Sequence, residues 1–314
     1  MSGEPTSGEF AFIDWVRRQN VFDGERLPVG IGDDAAVLRP TPGRDLVIAK
    51  DVLLEGVHFT FPEATPELAG RKSLAVNLSD LAAMGARPTL AFVGLALPRK
   101  RGHAFSEQVH AGIQQLADEF DIVIAGGDTN IWDGPLVVSV TLVGDVEQGQ
   151  AVRRGGAQAG DWIMVTGPLG GSLPSGRHLT FTPRVELAQQ LCKSAPIHSM
   201  IDLSDGLSRD VRHLTIPFGL GAELSAVAIP IHDDVASALS PAYRLDHALH
   251  DGEDFELLFT VGPEQGRQLL ATFSEFPLAH IGTVTATPTI LLKLANGISR
   301  QLPVSGWEHR YERS

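Results

Sequence analysis

One cysteine in 314 residues, Cys192, rules out an intramolecular disulfide and any cysteine-based zinc site. The packed small hydrophobe is the reading for that thiol. Cationic residues are outnumbered, 25 Lys and Arg against 38 Asp and Glu, for a net charge of −13. Such a balance argues against nucleic acid or an anionic membrane as partner. No apolar run approaches the length of a membrane span. Met1–Phe10 has no basic start followed by an apolar run, so no secretion signal is read there and the expected location is the cytoplasm. Nucleotide fingerprints are missing as well: there is no Gly-X-X-X-X-Gly-Lys-Ser/Thr loop, no Gly-X-Gly-X-X-Gly turn and no protein-kinase signature. No His-X-X-X-His spacing with a glutamate appears, which disfavours a zinc hydrolase.

Carboxylates dominate what is there. Five separated motifs carry them: Gly30-Ile31-Gly32-Asp33-Asp34, Lys50-Asp51, Asn77-Leu78-Ser79-Asp80, Gly126-Gly127-Asp128-Thr129 and Asp202-Leu203-Ser204-Asp205-Gly206. Each lies where an apolar stretch meets a turn, or on a helix among small residues. Carboxylates so placed are poorly solvated unless a cation meets them, and no cluster of Lys or Arg lies near them in sequence. Hard cations such as Mg2+ are the natural partner, and Mg2+ in an enzyme commonly brings a polyphosphate. The pattern points to phosphoryl transfer.

Each motif also has a plainer reading. Asp33-Asp34 is compatible with a solvated turn. Asn77 and Asp80 share a helix face apart from Leu74, Leu78 and Leu81, and that face would equally suit solvent. Asp128 follows an apolar strand and two glycines, a strand-end position favoured by ligands. Asp205 would serve as an N-cap for a helix starting at Gly206. Arg153-Arg154 would contact phosphate or merely solubilise a linker, and His58 and Glu253 would be ligand contacts or satisfied core residues.

The length allows two domains, and the 43% hydrophobic content is that of an ordinary globular chain. The pattern is mixed α/β (α+β), with no internal repeat. Helices are predicted over 9–19, 67–84, 104–120, 183–194, 206–215, 233–239 and 263–273. Strands are predicted over 46–51, 91–97, 121–125, 135–143, 162–166, 222–228, 255–261 and 279–285. The apolar periodicity lapses between Gly144 and Gly160, which divides the chain into domains 1–150 and 151–314.

The motifs together resemble the thiamine-monophosphate kinase family, of the aminoimidazole ribonucleotide synthetase-like superfamily. Those carrying the resemblance are Gly30–Ala35, Leu54–Phe59, Val76–Ala86, Gly126–Thr129, Ile201–Leu207 and Gly252–Leu257, in the family's order. The resemblance implies an N-terminal α/β domain that binds ATP and metal and dimerises through its sheet. It implies a C-terminal α/β domain that completes the substrate and ATP site. It implies several Mg2+ ions held by Asp34, Asp51, Asp80, Asp128, Asp202 and Asp205. ATP would meet Gly127, Asp128, Arg154 and Ser204. Thiamine monophosphate would meet His58, Glu253 and, by a looser match, Trp307. The reaction implied is in-line attack of the substrate phosphate on the γ-phosphorus of ATP, giving thiamine diphosphate in a homodimeric enzyme.

Three segments depart from the family pattern. Ala49 and Lys50 stand where hydroxyl residues usually precede the Asp51 position. The turn Gly167-Pro168-Leu169-Gly170-Gly171-Ser172 lacks its usual Asp, and Asp251 replaces a glycine. Rival readings follow from the superfamily and from these departures. Selenophosphate synthetase needs a Cys or selenocysteine in an N-terminal glycine-rich loop, and the hydrogenase-maturation relative needs a C-terminal Cys; this sequence shows neither. A non-catalytic nucleotide or thiamine-phosphate binder is a second rival, and a structural metal-binding protein is a third.

Overall fold

A computed structural model of the chain describes residues 9–19, 24–31 and 35–307. It divides into two units, Met1–Leu81 with Ala86–Ala151, and Ala82–Gly85 with Val152–Ser314. In the first, helix α1 (Glu9–Gln19) precedes strand β1 (Arg44–Leu54), helix α2 (Pro66–Ala83), strand β2 (Arg87–Pro98), helix α3 (Gly102–Glu119), strand β3 (Val123–Trp132) and strand β4 (Val137–Glu147). The sheet order is β1-β4-β2-β3, with only the β2–β3 pair parallel.

Helix α3 has the expected amphipathic spacing, burying Phe105, Val109, Ile113 and Leu116. Complete burial of Ile113 or Leu116 stabilises by about 2 kcal/mol each. Helix α2 departs from its predicted single apolar side. Residues 72–79 are all buried, Lys72, Ser73, Asn77 and Ser79 among them. The polar groups are met locally: Ser73 Oγ donates to Ala69 O at 2.8 Å and Asn77 Nδ2 to Ser73 O at 3.0 Å, so burial leaves these groups bonded.

The second unit holds strand β5 (Trp162–Val165), short helices α4 (Ser172–Ser175) and α5 (Arg177–Thr180), helix α6 (Val185–Ser194), strand β6 (Ser199–Asp202), helix α7 (Leu207–Thr215) and strand β7 (Gly221–Ser225). Helix α8 (Pro241–His250), strand β8 (Leu257–Val261), helix α9 (Pro263–Thr272) and strands β9 (Ala279–Thr285), β10 (Ile290–Lys293) and β11 (Ser299–Gln301) complete it. The sheet order is β11-β10-β7-β9-β5-β8-β6. Every residue of β8, an interior strand between β5 and β6, is buried, and its one polar side chain, Thr260, shares a hydrogen bond with Ser199 Oγ at 2.7 Å. Helix α7 buries Leu207, Val211 and Leu214, one stripe at helical spacing, in the same core.

Several predicted elements are corrected. The helix at 233–239 is absent: Asp234 N donates instead to the His232 ring at 3.0 Å, a local bond that competes with helix. The helix lies later, over α8, where Ser240 caps Tyr243 N and Pro241 occupies the first turn, a start signal present in the sequence. Strand β8 begins at Leu257 because Phe255 has φ 51°. Strand β7 stops at Ser225, where Ala228 N turns back to Ser225 O.

Candidate functional site

In the first unit the carboxylates of β1 and α2 meet. Asp51 N donates to Asn77 Oδ1 at 3.1 Å, and the Asp51 and Asp80 side chains share a hydrogen bond. Burial raises the Asp51 carboxyl, and the Asp80 contact only partly offsets it. Two carboxylates this close repel unless a proton or a cation lies between them. Asp80 thus faces another carboxylate and is not on a solvated face.

Strand alternation separates Lys50 from this pair. Its ammonium donates to Ser139 Oγ at 2.8 Å and Thr141 Oγ1 at 3.3 Å on the opposite side of the sheet. The register runs Val52–Ser139–Gly94–Asp128, so Asp128 also faces that side, three strand spacings or ~14 Å across. The expected strand end before Asp128 is corrected: β3 continues through it to Trp132. Gly127 permits this, since a Cβ there would lie 1.9 Å from Val93 O.

Gly30, Ile31 and Gly126–Thr129 line one cavity of about 640 Å3, with Phe12 and His110. It joins two of the glycine–aspartate motifs, although Asp34 itself, with Gly32 and Asp33, lies outside the described residues. His110 is buried, its Nε2 meets no hydrogen-bond partner, and burial depresses its pKa to about 4. His58 is fixed through its ring, whose Nδ1 accepts from Leu54 N at 3.0 Å. Its carbonyl accepts from Lys72 Nζ at 2.7 Å. Lys72 is fully buried, and nothing in the sequence marks it, since it stands between Arg71 and Ser73 in a helix of mixed polar and apolar residues.

In the second unit the distant motifs converge. Glu253 N donates to Ser204 O at 2.8 Å, and Trp307 N to Asp205 O at 3.1 Å. Ser204, Asp205, Glu253 and Trp307 therefore sit on adjoining segments, with Asp202 buried at the end of β6. His178 Nδ1 lies 3.3 Å from Glu253 Oε2. Asp205 is not the N-cap of α7; Gly206 holds that position and no side chain caps there. Asp210 reaches back instead, accepting from Asp205 N and Gly206 N, each at 3.1 Å. Burial, then the charges of Asp202 and Asp205, drive the Asp210 carboxyl well above its ordinary value. Asp205, Asp210 and His213 offer ligand atoms within 4.8 Å of one another. Burial and then Arg154 lower the His213 pKa, which places the Arg154 charge near this segment. Asp210 is not visible from sequence because its role depends on where the chain folds back.

Two mixed sheets that carry aspartates on β1, α2, β3 and the end of β6, in a sequence with no phosphate-binding glycine loop of the usual kinds, are the arrangement of an AIR synthase-like class. The model for the N-terminal domain of AIR synthase related proteins matches residues 32–146. Thiamine-monophosphate kinase of Rhodopirellula baltica is 39% identical over 313 residues, spanning 96% of this chain and 97% of the relative. The Escherichia coli K12 enzyme of that name is 36% identical over 96% of this chain and 98% of its own. Among solved structures, thiamine-monophosphate kinase of Stenotrophomonas maltophilia K279a superposes with a TM-score of 0.78 at 36% identity, covering 91% of this chain and 96% of that one. AaThiL complexed with AMPPCP and TMP superposes with 0.75 at 28% identity, over 96% and 97%. The chain belongs to the thiamine-monophosphate kinase family.

Proposed function

We propose that this chain phosphorylates thiamine monophosphate with ATP, giving thiamine diphosphate and ADP, the last step in making that diphosphate. The observation that carries the site reading is the Asp51–Asp80 contact: two half-buried carboxylates in hydrogen-bond reach are a hard-oxygen donor set suited to Mg2+. Asp34, Asp51, Asp80, Asp128, Asp202 and Asp205 are the proposed holders of several ions. When bound, Mg2+ neutralises charge on the transferring phosphates.

Gly127, Asp128, Arg154 and Ser204 are proposed to contact ATP. The cavity beside Gly127 and Asp128 lies within the size range of small-molecule sites, which supports a place there for the nucleoside. His58, Glu253 and Trp307 are proposed to hold thiamine monophosphate. His58 is pinned at ring and carbonyl, and Glu253 at its amide, so both are presented by fixed backbone. The substrate phosphate has its second pKa near about 6 and is already ionised at neutral pH. The side chains therefore position and neutralise, and no protein base is needed.

The domain assignment of 1–150 to ATP, metal and dimerisation and 151–314 to completing the site is part of this proposal. A homodimer through the first sheet is supported by Leu46, Ile48 and Val52, exposed along β1. Among the described residues no helix is long and apolar enough to cross a membrane; a cytoplasmic location rests on composition. ADP release from Mg-ATP, with and without thiamine monophosphate and with the thiamine product identified, tests the reading. Substrate-dependent ADP with matching thiamine diphosphate is expected. Tight ATP binding without turnover would replace it with a non-catalytic binder.

A further inference from the structure

The glycine turn at 167–172 and the end of α8 touch each other in the second unit. Asp251 follows the last residue of α8, 80 positions after Gly171 in that turn. Gly171 N donates to Asp251 Oδ2 at 2.8 Å. Gly171 has φ 75°, and a Cβ there would lie 2.8 Å from Asp234 Cβ and 2.9 Å from its carbonyl carbon, so this turn has no room for a side chain at that residue. The carboxylate arrives from the end of α8 instead.

Asp251 also engages the His247 ring, Nδ1 lying 2.9 and 3.0 Å from its two oxygens. It begins an alternating set of ties. Asp251 and Asp254 hold the glycine turn, the latter accepting from Gly170 N at 2.9 Å. Glu253 and Phe255 hold the other side, donating from their amides to Ser204 O at 2.8 Å and Leu203 O at 2.9 Å. Between them Glu253 has φ 55°, a left-handed conformation that costs a non-glycine residue free energy and persists only when its surroundings impose it.

We infer that Asp251 is a positioning residue for thiamine-phosphate recognition, fixing Glu253 in its left-handed conformation by tying the end of α8 to the Gly170–Gly171 turn. The inference rests on the assignment of Glu253 to the substrate. Asp251 is half-buried at the end of α8, and without it the turn still has Gly170 N donating to Asp254 Oδ1 at 2.9 Å and Arg177 Nη2 donating to Gly170 O at 2.9 Å and to Asp254 Oδ1 at 3.0 Å. A variant at 251 is therefore expected to keep its fold.

The test compares Asp251→Ala, Asp251→Asn and Glu253→Gln in steady-state kinetics for both substrates, with melting temperatures alongside. Asp251→Ala is expected to raise KM for thiamine monophosphate roughly tenfold, as for a lost hydrogen bond to a charged group, with kcat and KM for ATP within about twofold. Asp251→Asn keeps an oxygen for Gly171 N and should recover most of the loss. Glu253→Gln should raise the same KM, and the double variant should add little further. An unchanged KM in Asp251→Ala beside a raised one in Glu253→Gln overturns the role of Asp251 and leaves the substrate assignment standing. A raised KM in Asp251→Ala with none in Glu253→Gln overturns the route through Glu253 and that assignment with it. Equal losses for ATP and thiamine monophosphate that follow a lowered melting temperature reduce Asp251 to a structural tie and overturn the inference.

Discussion

Lys50 and Asp51 are chain neighbours that serve opposite faces of one sheet: the ammonium bonds Ser139 and Thr141, while the carboxylate meets Asp80 of α2. The lysine thus leaves the Asp51–Asp80 pair intact. Lys50→Thr is expected to move the Mg2+ concentration for half-maximal activity by less than about threefold. Asp51→Asn should move it by roughly tenfold or more, because a hard anionic donor is lost. Magnesium titrations of the two variants decide it; equal shifts would place an ion on the Lys50 face.

His110 gives the chain an acid-labile point. Its pKa is depressed to about 4 by burial, whereas the unfolded residue titrates near 6.5. Below that value the unfolded state takes up the proton first. Stability should therefore fall as pH drops from about 6.5 through about 4, by up to ~3 kcal/mol. His110→Phe removes this dependence. Urea unfolding at pH 7, 5.5 and 4 should show the variant gaining on the wild type as pH falls; parallel curves would count against a neutral buried imidazole.

Asp145 is fully buried and paired with Arg26, Arg44 and Arg87. Burial alone would raise its pKa, but Arg87 and Arg44 outweigh that and hold it below the usual range. Asp145→Asn should destabilise by about 3 kcal/mol at neutral pH. That is the lower end for a broken buried pair, since the guanidiniums, with side chains 27%, 28% and 55% exposed, can rehydrate. The stabilisation from a lowered carboxylate pKa is present above the unfolded value and lost as pH falls below it. The difference between wild type and variant in chemical unfolding should accordingly shrink in acid.

Asp210 closes the start of α7 from inside the helix. Asp210→Ala leaves the Asp205 and Gly206 amides without that acceptor and should cost about 1–2 kcal/mol, with a fall in activity as the Asp205 segment loosens. Asp210→Asn retains an acceptor oxygen and should keep most of the stability. Thermal melts together with turnover separate the two; an Asn variant as unstable as Ala would mean the charge, not the acceptor, holds the turn.

Much of the secondary structure is legible because it is written in local periodicity. Phe105, Val109, Ile113 and Leu116 announce α3, and β9 runs over the predicted residues 279–285. Helix α8 is missed although Ser240-Pro241 marks its start, because the acidic stretch before it also suits a helix. The all-round burial of α2 is hidden by its mixture of Leu, Ser, Asn and Lys. Those polar groups are satisfied by bonds one turn back and by the His58 carbonyl, and no spacing rule reports a carbonyl 14 positions away.

The sequence by itself determined the chemistry on offer and its kinship. It has an acidic chain with a single thiol and no phosphate loop, aspartates beside small residues, and motifs in the order of one kinase family. Tertiary structure decided which of those carboxylates meet. Asp51 finds Asp80 across a strand–helix contact, Asp128 turns to the other face through strand register, and Asp251 reaches Gly171 over 80 positions. Side-chain direction in a sheet alternates with every residue, and contacts between distant segments follow from packing. Neither is carried by the local pattern of residue types.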